Sequence, residues 1–430
     1  MSLCIMTKIA IITQGCSANA AESEIMAGLL KKADFEMSKA EDADLILINT
    51  CTVKGEFTAI RAIKHAKTKY PNKKIIVAGC VTKRLISKLR EVDEEAGILN
   101  THNLKNIVSV VEETINDSPI EAFSTEPEVK LGFPRVRKNQ LIGIIPILNS
   151  CAGHCTFCST KQVKGKLLSY PKDQIIAESR KAIVSGCREL WITSQDNGAY
   201  MFDKGARELP QLLTELCQLP SDFKIRLGMI NPTHIIKMLP ELIKVYKNPH
   251  MFQFLHVPIQ SANNRILNLM KRENTVEEYK TIIEEFKKAL PHITIATDII
   301  VGFPTETEQE FLDSVDLIKK TMPDIVNVSR YRLRHGTLAS KMEGQVLDEE
   351  SKKRSKLLSH ICENISTLRN ESWRDWQGEV MIDENGKNNT WIARNFAYKQ
   401  IILEGNFSMG EKVNVKIIKT NPYDLRGIIC

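Results

Sequence analysis

Short apolar runs alternate with amphipathic segments along the first third of the chain. The runs are rich in Ile, Val and Leu, which is typical of buried strands, and the segments between them have a helical period. This alternation predicts a parallel sheet with crossover helices, a Rossmann-like α/β domain over residues 1–125. The predicted strands are residues 8–13, 44–49 and 74–78, and the predicted helices are residues 21–32, 58–67 and 85–92.

The middle of the chain repeats the same alternation more strictly. Six consecutive strand–helix units predict a parallel barrel, a partial (β/α)6 barrel over residues 135–345, with its chemistry at the carboxyl ends of the strands. A polar stretch at 116–128 separates it from the first domain. The predicted strands are 144–149, 189–194, 224–229, 252–257, 293–300 and 325–331, with helices at 173–185, 210–217, 235–245, 277–289 and 308–320.

The pattern changes again near the end of the chain. A charged segment at 346–368 predicts a helical linker, and short runs separated by turn residues follow it. Five short strands in so few residues predict a small antiparallel β-barrel of the oligonucleotide-binding type over 369–430. These strands are predicted at 379–383, 391–393, 400–403, 412–418 and 427–429.

Composition narrows the class of protein. With 43% hydrophobic and 26% charged residues, the 430-residue chain is typical of a globular protein with two or three domains. It contains no apolar run long enough to span a membrane and no signal-peptide pattern at its start, so a cytoplasmic location is expected. In that reducing compartment the 11 cysteines favour metal binding or reactivity over disulfides. A net charge of +7 is only a mild bias toward anionic partners.

The strongest local motif is a C-x3-C-x2-C run formed by Cys151, Cys155 and Cys158, directly after the first predicted barrel strand. A structural zinc site normally needs four protein ligands, and no second C-x2-C pair accompanies this run. Three thiolates suit a [4Fe–4S] cluster that leaves one iron open for another ligand. S-adenosylmethionine can chelate that iron through its amino and carboxylate groups.

A second set of cysteines is scattered in sequence. Cys16, Cys51 and Cys80 each follow a predicted strand of the first domain. Because the carboxyl ends of parallel strands meet at one edge, the three thiols can converge on a second cluster. The alternative is that each is a small buried apolar residue. The remaining cysteines, Cys4, Cys187, Cys217, Cys362 and Cys430, are interpreted as packing or surface residues.

Together these motifs resemble the radical-SAM methylthiotransferases over nearly the whole chain. The resemblance rests on QGCSANAAESE, NTCTVK and AGC in the first domain, and on SCAGHCTFCST, ELWITSQDNGAY, RLGMINP, FLHVPIQSANNRILNLMKR and ATDIIVGFPTETE in the barrel. TSQDNGAY and RLGMINP are most similar to the archaeal and eukaryotic branch. That branch acts on N6-threonylcarbamoyladenosine at position 37 of tRNA and gives the 2-methylthio derivative.

The resemblance implies two [4Fe–4S] clusters and S-adenosylmethionine as cofactors. All six cysteines would be cluster ligands with catalytic roles: one cluster starts radical chemistry, and the other holds or supplies sulfur. A cofactor radical is needed because an aromatic C–H bond is inert to side-chain acids and bases. Implied partners are the tRNA anticodon stem-loop, an external one-electron reductant and a sulfur source, with no membrane. The implied cofactor-binding residues are Phe157, Gln195, Asp196, Asn231, Gln260, Ser261, Asp298 and Gly302.

The implied tRNA contacts lie in the last third of the chain. A basic stretch containing Arg332 and Arg334 departs from the family pattern, since His335 stands where a proline is usual. In the terminal domain, Arg394, Tyr398 and Lys399 interleave basic and aromatic side chains, which suits stacking on unpaired bases. Core packing is the alternative for the aromatic ring.

Two other functions fit parts of the pattern. A related enzyme that methylthiolates an aspartate of a ribosomal protein would share both clusters. A non-catalytic iron–sulfur RNA-binding protein would need no open iron, so the intact C-x3-C-x2-C run argues against it. Cleavage of S-adenosylmethionine separates this last class from both enzymes.

Overall fold

A computed structural model describes residues 6–51 and 56–430. Cys4 and residues 52–54 of the motif after Cys51 lie outside this part of the chain. No helix within the described ranges has both the length and the apolar character needed to cross a bilayer.

The first domain is built on a six-stranded sheet whose pairs are all parallel, in the order β2-β1-β3-β4-β5-β6. Apolar side chains cover both of its faces, as expected of strands between crossover helices. The predicted α/β fold is confirmed here. The strands are β1 (Lys8–Thr13), β2 (Glu36–Met37), β3 (Leu45–Thr50), β4 (Lys74–Gly79), β5 (Gly97–Asn100) and β6 (Glu121–Ala122). The helices are α1 (Ser17–Lys32), α2 (Glu56–Lys69), α3 (Lys83–Arg90) and α4 (Ile107–Ile115).

The middle of the chain forms an open half-barrel. Six of its strands run parallel in chain order, as two triplets that a bridge between Ile225 and Met251 joins. The first and last of these six strands do not pair among the described residues, so the barrel stays open on one side. The strands of this region are β7 (Ile142–Pro146), β8 (Leu148–Asn149), β9 (Leu168–Ser169), β10 (Glu189–Thr193), β11 (Lys224–Leu227), β12 (Phe254–His256), β13 (Thr294–Val301) and β14 (Ile325–Arg330).

Helices surround the half-barrel on its convex side and enclose the largest apolar core of the molecule. β8 and β9 form a separate antiparallel pair, and the barrel strands are β7 and β10 to β14. The helices are α5 (Thr160–Lys164), α6 (Lys172–Val184), α7 (Leu209–Leu216), α8 (Pro232–Ile235), α9 (Leu239–Tyr246), α10 (Asn264–Leu269), α11 (Val276–Ala289) and α12 (Glu308–Thr321).

A long helix, α13 (Asp348–Glu371), leads from the half-barrel to a closed five-stranded barrel with its own apolar core. The terminal β-barrel predicted from the sequence is confirmed, with one correction: β17 and β19 pair in parallel, whereas the other pairs are antiparallel. Its strands are β15 (Gln377–Asn385), β16 (Thr390–Arg394), β17 (Gln400–Glu404), β18 (Lys412–Thr420) and β19 (Leu425–Ile429).

Helix α1 connects the first domain to the half-barrel. Ala21 of α1 is buried against Ile142 and Ile144 of β7, with Trp191 of β10 beside them. The hydroxyls of Ser17 and Thr193 share a hydrogen bond of 2.5 Å at the start of the same helix. The sheet edge that carries the first cysteines therefore faces the carboxyl ends of the barrel strands.

Candidate active site between two cysteine triads

The structure brings Cys16, Cys51 and Cys80 together, and we call them the sheet triad. Each follows one of three adjacent strands, β1, β3 and β4, which explains how residues so distant in sequence meet. The thiol of Cys51 interacts with both of the others. The contact with Cys51 lowers the pKa of the Cys16 thiol, and the contacts with Cys16 and then Cys80 raise the pKa of Cys51.

An asparagine that the sequence motifs did not single out lies among these thiols. Asn19 occupies the first turn of α1, where its side-chain oxygen is 3.5 Å from Cys16 Sγ. Its amide nitrogen lies 3.9 Å from Cys80 Sγ and donates to the Thr50 carbonyl at 2.9 Å. Gly15 permits the approach, because a Cβ at that residue would lie 2.8 Å from the Cβ of Cys51. Asn19 thus ties the three strand ends together.

Cys151, Cys155 and Cys158 form the barrel triad, on the loop between β8 and α5. Backbone amides of this loop point at the sulfurs: Gly153 N lies 3.2 Å from Cys151 Sγ, and Thr160 N lies 3.4 Å from Cys158 Sγ. Burial raises the pKa of the Cys151 and Cys155 thiols. Thiolates at such buried positions need a cationic partner, which iron provides, and amide hydrogen bonds to sulfur are typical of iron–sulfur sites.

Binding of an iron–sulfur cluster fits both triads better than disulfide formation or binding of a single metal ion. The ten cysteines of the described ranges are all free, so neither triad is consumed by a disulfide. Within those same ranges, no three His, Cys, Asp or Glu side chains are grouped tightly enough to hold one metal ion. The thiolates of a [4Fe–4S] cluster bind different irons and do not need that tight grouping.

A buried polar network supports the barrel triad from the strand ends. The carboxylate of Asp196 lies 3.8 Å from Cys151 Sγ and accepts hydrogen bonds from the backbone and the side chain of Asn231. Arg272 donates to Asn231 and lies 4.0 Å from Cys155 Sγ. Asp196 has no exposed surface. It therefore positions Asn231 and the cysteine loop; its predicted contact with a cofactor stays a prediction.

Gln195 and Phe157 border the same loop. The side-chain oxygen of Gln195 accepts from Ser150 N at 2.8 Å, next to Cys151. Phe157 is half-buried and packs against the apolar cluster that contains Met270 and Phe303. Both side chains keep some exposed surface.

Three polar side chains on adjacent strands form a second network. His256 Nε2 lies 3.1 Å from both carboxylate oxygens of Asp298, and Asn327 donates to the same carboxylate at 2.7 Å. Gln260 adopts a left-handed backbone conformation, with φ of 75°, and bridges to Ile299 of the neighbouring strand. Asp298 and Gln260 are half-buried. Neither His256 nor Asn327 was singled out in the sequence: His256 lies within the FLHVPIQ motif without a role of its own, and Asn327 belongs to no recognisable spacing pattern.

Two further predicted cofactor contacts lie in the interior of the fold, and their role stays a prediction. The side chain of Ser261 has no exposed surface and its hydroxyl accepts from Asn263 N at 3.4 Å, within the same loop. Gly302 donates its amide to Glu306 at 2.7 Å, and a Cβ there would lie 2.9 Å from Ser351 Cβ of α13. Gly302 is therefore packed closely against α13.

The basic stretch after β14 lies at the rim of the site. Arg332 is exposed and forms an ion pair of 2.7 Å with Asp348. Arg334 donates to the carbonyl of Phe157 at 3.4 Å, which links this stretch to the barrel triad. His335 is exposed.

The three residues predicted to contact RNA in the terminal barrel lie at its contact with the half-barrel, and RNA binding by them stays a prediction. The ammonium of Lys399 is buried and pairs with Asp324 at 2.8 Å. Tyr398 packs edge-on against Phe252, at 4.8 Å between ring centroids. Arg394 lies over the Tyr398 ring and pairs with Asp383. The alternation of basic and aromatic residues here is an interdomain contact.

Three family models match the chain in order: the uncharacterized protein family UPF0004 over residues 8–100, the radical SAM superfamily over 145–318, and the TRAM domain over 378–430. The fold also resembles the radical S-adenosylmethionine methyltransferase TsrM from Kitasatospora setae, with a TM-score of 0.55, 12% identity, and coverage of 77% of this chain and 75% of that one. The fold and the cysteine loop thus define a radical SAM enzyme with a terminal TRAM barrel.

Curated relatives identify the family within that class. A probable threonylcarbamoyladenosine tRNA methylthiotransferase from Archaeoglobus fulgidus is 39% identical over 95% of this chain and 96% of its own length. The threonylcarbamoyladenosine tRNA methylthiotransferase of Homo sapiens is 36% identical over 98% of this chain and 73% of its own length. The chain belongs to the family of threonylcarbamoyladenosine tRNA methylthiotransferases. As a radical SAM methylthiotransferase it uses S-adenosylmethionine and two [4Fe–4S] clusters.

Proposed function

We propose that this protein converts N6-threonylcarbamoyladenosine at position 37 of tRNA to its 2-methylthio derivative. One observation carries the proposal: the elements that bear the two triads are in direct contact. Ser17, next to Cys16, is hydrogen-bonded at 2.5 Å to Thr193 at the end of β10. Two residues further along, Gln195 holds the amide beside Cys151 at 2.8 Å. A sulfur source and a radical source placed this close can act on one carbon atom.

The six cysteines are assigned as cluster ligands. Cys151, Cys155 and Cys158 would hold a cluster that supplies an electron for cleavage of S-adenosylmethionine. Cys16, Cys51 and Cys80 would hold a cluster that supplies sulfur. Asn19 fixes the geometry of the sheet triad through Cys16 and Cys80. Asp196 and Arg272 fix that of the barrel triad through Cys151 and Cys155.

The barrel rim is assigned to cofactor and substrate binding. Asn231 is held by Asp196 on one side and Arg272 on the other, so its side chain keeps one orientation. Gln195, Phe157, Gln260 and Asp298 are the predicted cofactor contacts that keep exposed surface. Fixed polar groups of this kind hold reactants in place without rearrangement during the reaction.

The anticodon stem-loop of tRNA is assigned to the rim beside the basic stretch. Arg332 is exposed, and its partner Asp348 is also solvent-exposed, so the pair exchanges readily for a phosphate. Arg334 connects that surface to Phe157 beside the barrel triad. The terminal domain matches the TRAM model over 378–430, although its residues 394–399 face the half-barrel.

An external one-electron reductant and an external sulfur source complete the proposed reaction. The cysteine loop reaches the surface at His154, which is exposed and hydrogen-bonded to Lys161 at 3.2 Å. Together with exposed Lys271, these residues give a positive approach that suits an acidic electron carrier. The reaction is placed in the cytoplasm, where free thiols persist; the described cysteines are free.

The test is nucleoside mass spectrometry of tRNA from a host that lacks the modification, with and without this gene. We expect the 2-methylthio nucleoside only with the intact gene, and its loss in Cys16→Ala and in Cys155→Ala. Cys217→Ala is the matched control, since Cys217 is a buried cysteine at the end of α7 and belongs to neither triad.

Unmodified tRNA together with cleavage of S-adenosylmethionine by the purified protein would contradict the substrate assignment while keeping the radical chemistry. The ribosomal protein aspartate would then be the next substrate to assay. Failure to cleave S-adenosylmethionine after cluster reconstitution under reducing conditions would contradict the enzymatic proposal as a whole.

A further inference from the structure

A compact group of charged side chains is buried between the two triads. Lys130 and Lys164 both pair with one oxygen of Glu22, at 2.5 and 2.7 Å. The hydroxyl of Thr101 donates to the same oxygen and accepts from each lysine at 2.6 Å. All three charged side chains are at most 5% exposed. We call these four residues the buried charge cluster.

The buried charge cluster is attached to both triads through the backbone. Glu22 lies on α1, which Cys16 caps, and Thr101 N donates to the carbonyl of Gly79, the residue before Cys80. On the other side, Lys164 ends the helix that follows Cys158. Asn149 and Ser150, which precede Cys151, bond to the carbonyls of Lys164 and Gly165 at 2.6 and 2.7 Å.

The buried charge cluster holds two ammonium groups against one carboxylate. The two lysines lower the pKa of Glu22 to about 2 in spite of its burial, so the carboxylate is ionised. Burial lowers the pKa of Lys130 to about 8, while Glu22 and then Cys80 raise that of Lys164, so both lysines are mostly protonated near neutral pH. The buried charge cluster by itself therefore carries one excess positive charge.

Two further titratable groups lie beside the buried charge cluster. His102 donates to the Val163 carbonyl at 3.0 Å, and burial lowers its pKa to about 4, so the ring is neutral. Glu128 interacts electrostatically with Lys130 and accepts a hydrogen bond from Leu104 N at 3.2 Å. Lys164 shares its carboxylate partner, Glu22, with Lys130 in the described part of the chain. A buried ammonium that shares its carboxylate is stabilised by a further anion, so an anion close to Lys164 is expected.

We propose that Lys164, with Lys130, is a positioning residue that stabilises the negative charge of a cluster bound to the sheet triad. Three thiolates around such a cluster leave it anionic. Thr101 of the buried charge cluster is bonded to the residue before Cys80, and Lys164 interacts electrostatically with Cys80 and Cys16. A positive charge held there favours the reduced cluster over the oxidised one, because reduction adds an electron. This inference rests on the proposed function, since it requires the second cluster.

The proposal predicts opposite effects for opposite charges. In the full-length protein, Lys164→Met should lower the reduction potential of the sheet-triad cluster by at least the equivalent of a tenfold change in the reduction equilibrium, about 59 mV for one electron. Glu22→Gln removes the carboxylate and should raise the potential. Lys164→Arg keeps the charge and should leave the potential near that of the parent.

The measurement is a spectroscopic redox titration of reconstituted protein, with the barrel triad intact and again with its three cysteines changed to alanine. Arg135→Met is the matched control. Arg135 is also a buried cation between α1 and the half-barrel, but it pairs one-to-one with Glu178 at 2.8 Å. It should reduce stability without shifting the potential. If Lys164→Met fails to fold, Lys130→Met removes the other ammonium and should also lower the potential.

Equal shifts in Lys164→Met, Glu22→Gln and Arg135→Met, or no shift in any of them, would overturn the proposal and leave the buried charge cluster as an interdomain packing device. If Cys80→Ala retains the iron content of the parent, the second cluster itself is contradicted. If the second cluster is present but Lys164→Met leaves its reduction potential unchanged, only the role of Lys164 is contradicted.

Discussion

At the scale of single residues, the sequence identified the thiols but not the groups that hold them. The six cysteines stand out by spacing or by position after strands. Asn19 does not, because its partners Thr50 and Cys80 lie far along the chain and meet it only when three strands are adjacent. Lys399 was predicted to bind RNA from its aromatic neighbours, but its ammonium is buried against Asp324. Composition does not reveal which neighbour a side chain faces.

Asn19→Ala tests the role of Asn19 at the sheet triad. Removing the amide leaves the ends of β1, β3 and β4 without their common hydrogen-bond partner, so we expect the sheet triad to lose half or more of its iron. Iron and sulfide content of anaerobically purified protein measures this loss. Asn72→Ala is the control, because Asn72 is exposed and precedes β4, at the end of the sheet opposite the cysteines. It should retain the parent content; equal content in both variants would contradict the role.

Lys399→Met tests whether this lysine is structural. Removing its ammonium leaves Asp324 with Arg369 as its remaining cationic partner, at 3.3 Å, and should reduce the free energy of unfolding by about 2 kcal/mol. Denaturant titration gives that value. Binding of tRNA by the folded variant should keep the parent's dependence on salt. A shallower salt dependence would return Lys399 to the RNA-binding surface.

At the scale of elements, the sequence predicted the βα alternation well and failed where contacts outweigh local preference. The helix predicted at 235–245 is divided into α8, a 3-10 turn and α9, and Pro240 stands in the first turn of α9. β2 and β6 are two residues long, too short to leave a periodic pattern. The parallel pairing of β17 with β19 depends on closure of the barrel, which no local pattern encodes.

Gly28→Ala tests the docking of α1. A Cβ at Gly28 would lie 2.6 Å from the backbone nitrogen of Arg135, so the helix and the chain segment beside it must separate. We expect a loss of about 1 to 3 kcal/mol in stability. Because α1 carries Cys16 toward the barrel, modification of tRNA should fall further than cleavage of S-adenosylmethionine does. Comparing both rates with those of Lys32→Ala, an exposed change on the same helix, measures the difference; a parallel fall in both rates would contradict it.

At the scale of the whole molecule, the order of the three domains was predictable and their arrangement was not. Each domain has its own periodicity, so composition and spacing separate them. The contact of Ala21 with Ile142 and Ile144, and that of Tyr398 with Phe252, join residues of different domains. The surfaces involved are small, and their residue types are also common in ordinary cores. Only the folded chain shows that α1 brings the two triads together.

The contact between α1 and the segment before β7 should depend on pH. Burial raises the pKa of Glu24 from 4.5 to about 7, although Arg135 and Arg137 oppose the shift. The protonated form is therefore favoured by folding, and its contribution is complete below pH 4.5 and is lost as pH rises through 7. Glu24→Gln should match the parent at pH 5 and exceed its stability at pH 8 by on the order of 2 kcal/mol.

Thermal unfolding of the parent and of Glu24→Gln across this pH range gives the comparison. Glu112→Gln, an exposed change on α4, should follow the parent at every pH. A constant difference between Glu24→Gln and the parent from pH 5 to pH 8 would show that Glu24 does not titrate in this range.

The docking of α1 over the opening of the half-barrel has a consequence for the nucleic acid. With α1 against β7, and residues 394–399 closing the end of the half-barrel opposite the triads, the space between the triads is approached from the rim. The C2 atom of an adenine lies on its base-pairing edge, out of reach while the base is stacked within its loop. The nucleotide must therefore be flipped out of the stacked anticodon loop into the protein, at a cost of a few kcal/mol. The rate of modification then depends on the flexibility of the anticodon loop as well as on its sequence. A rigid loop that carries the correct base is a poor substrate.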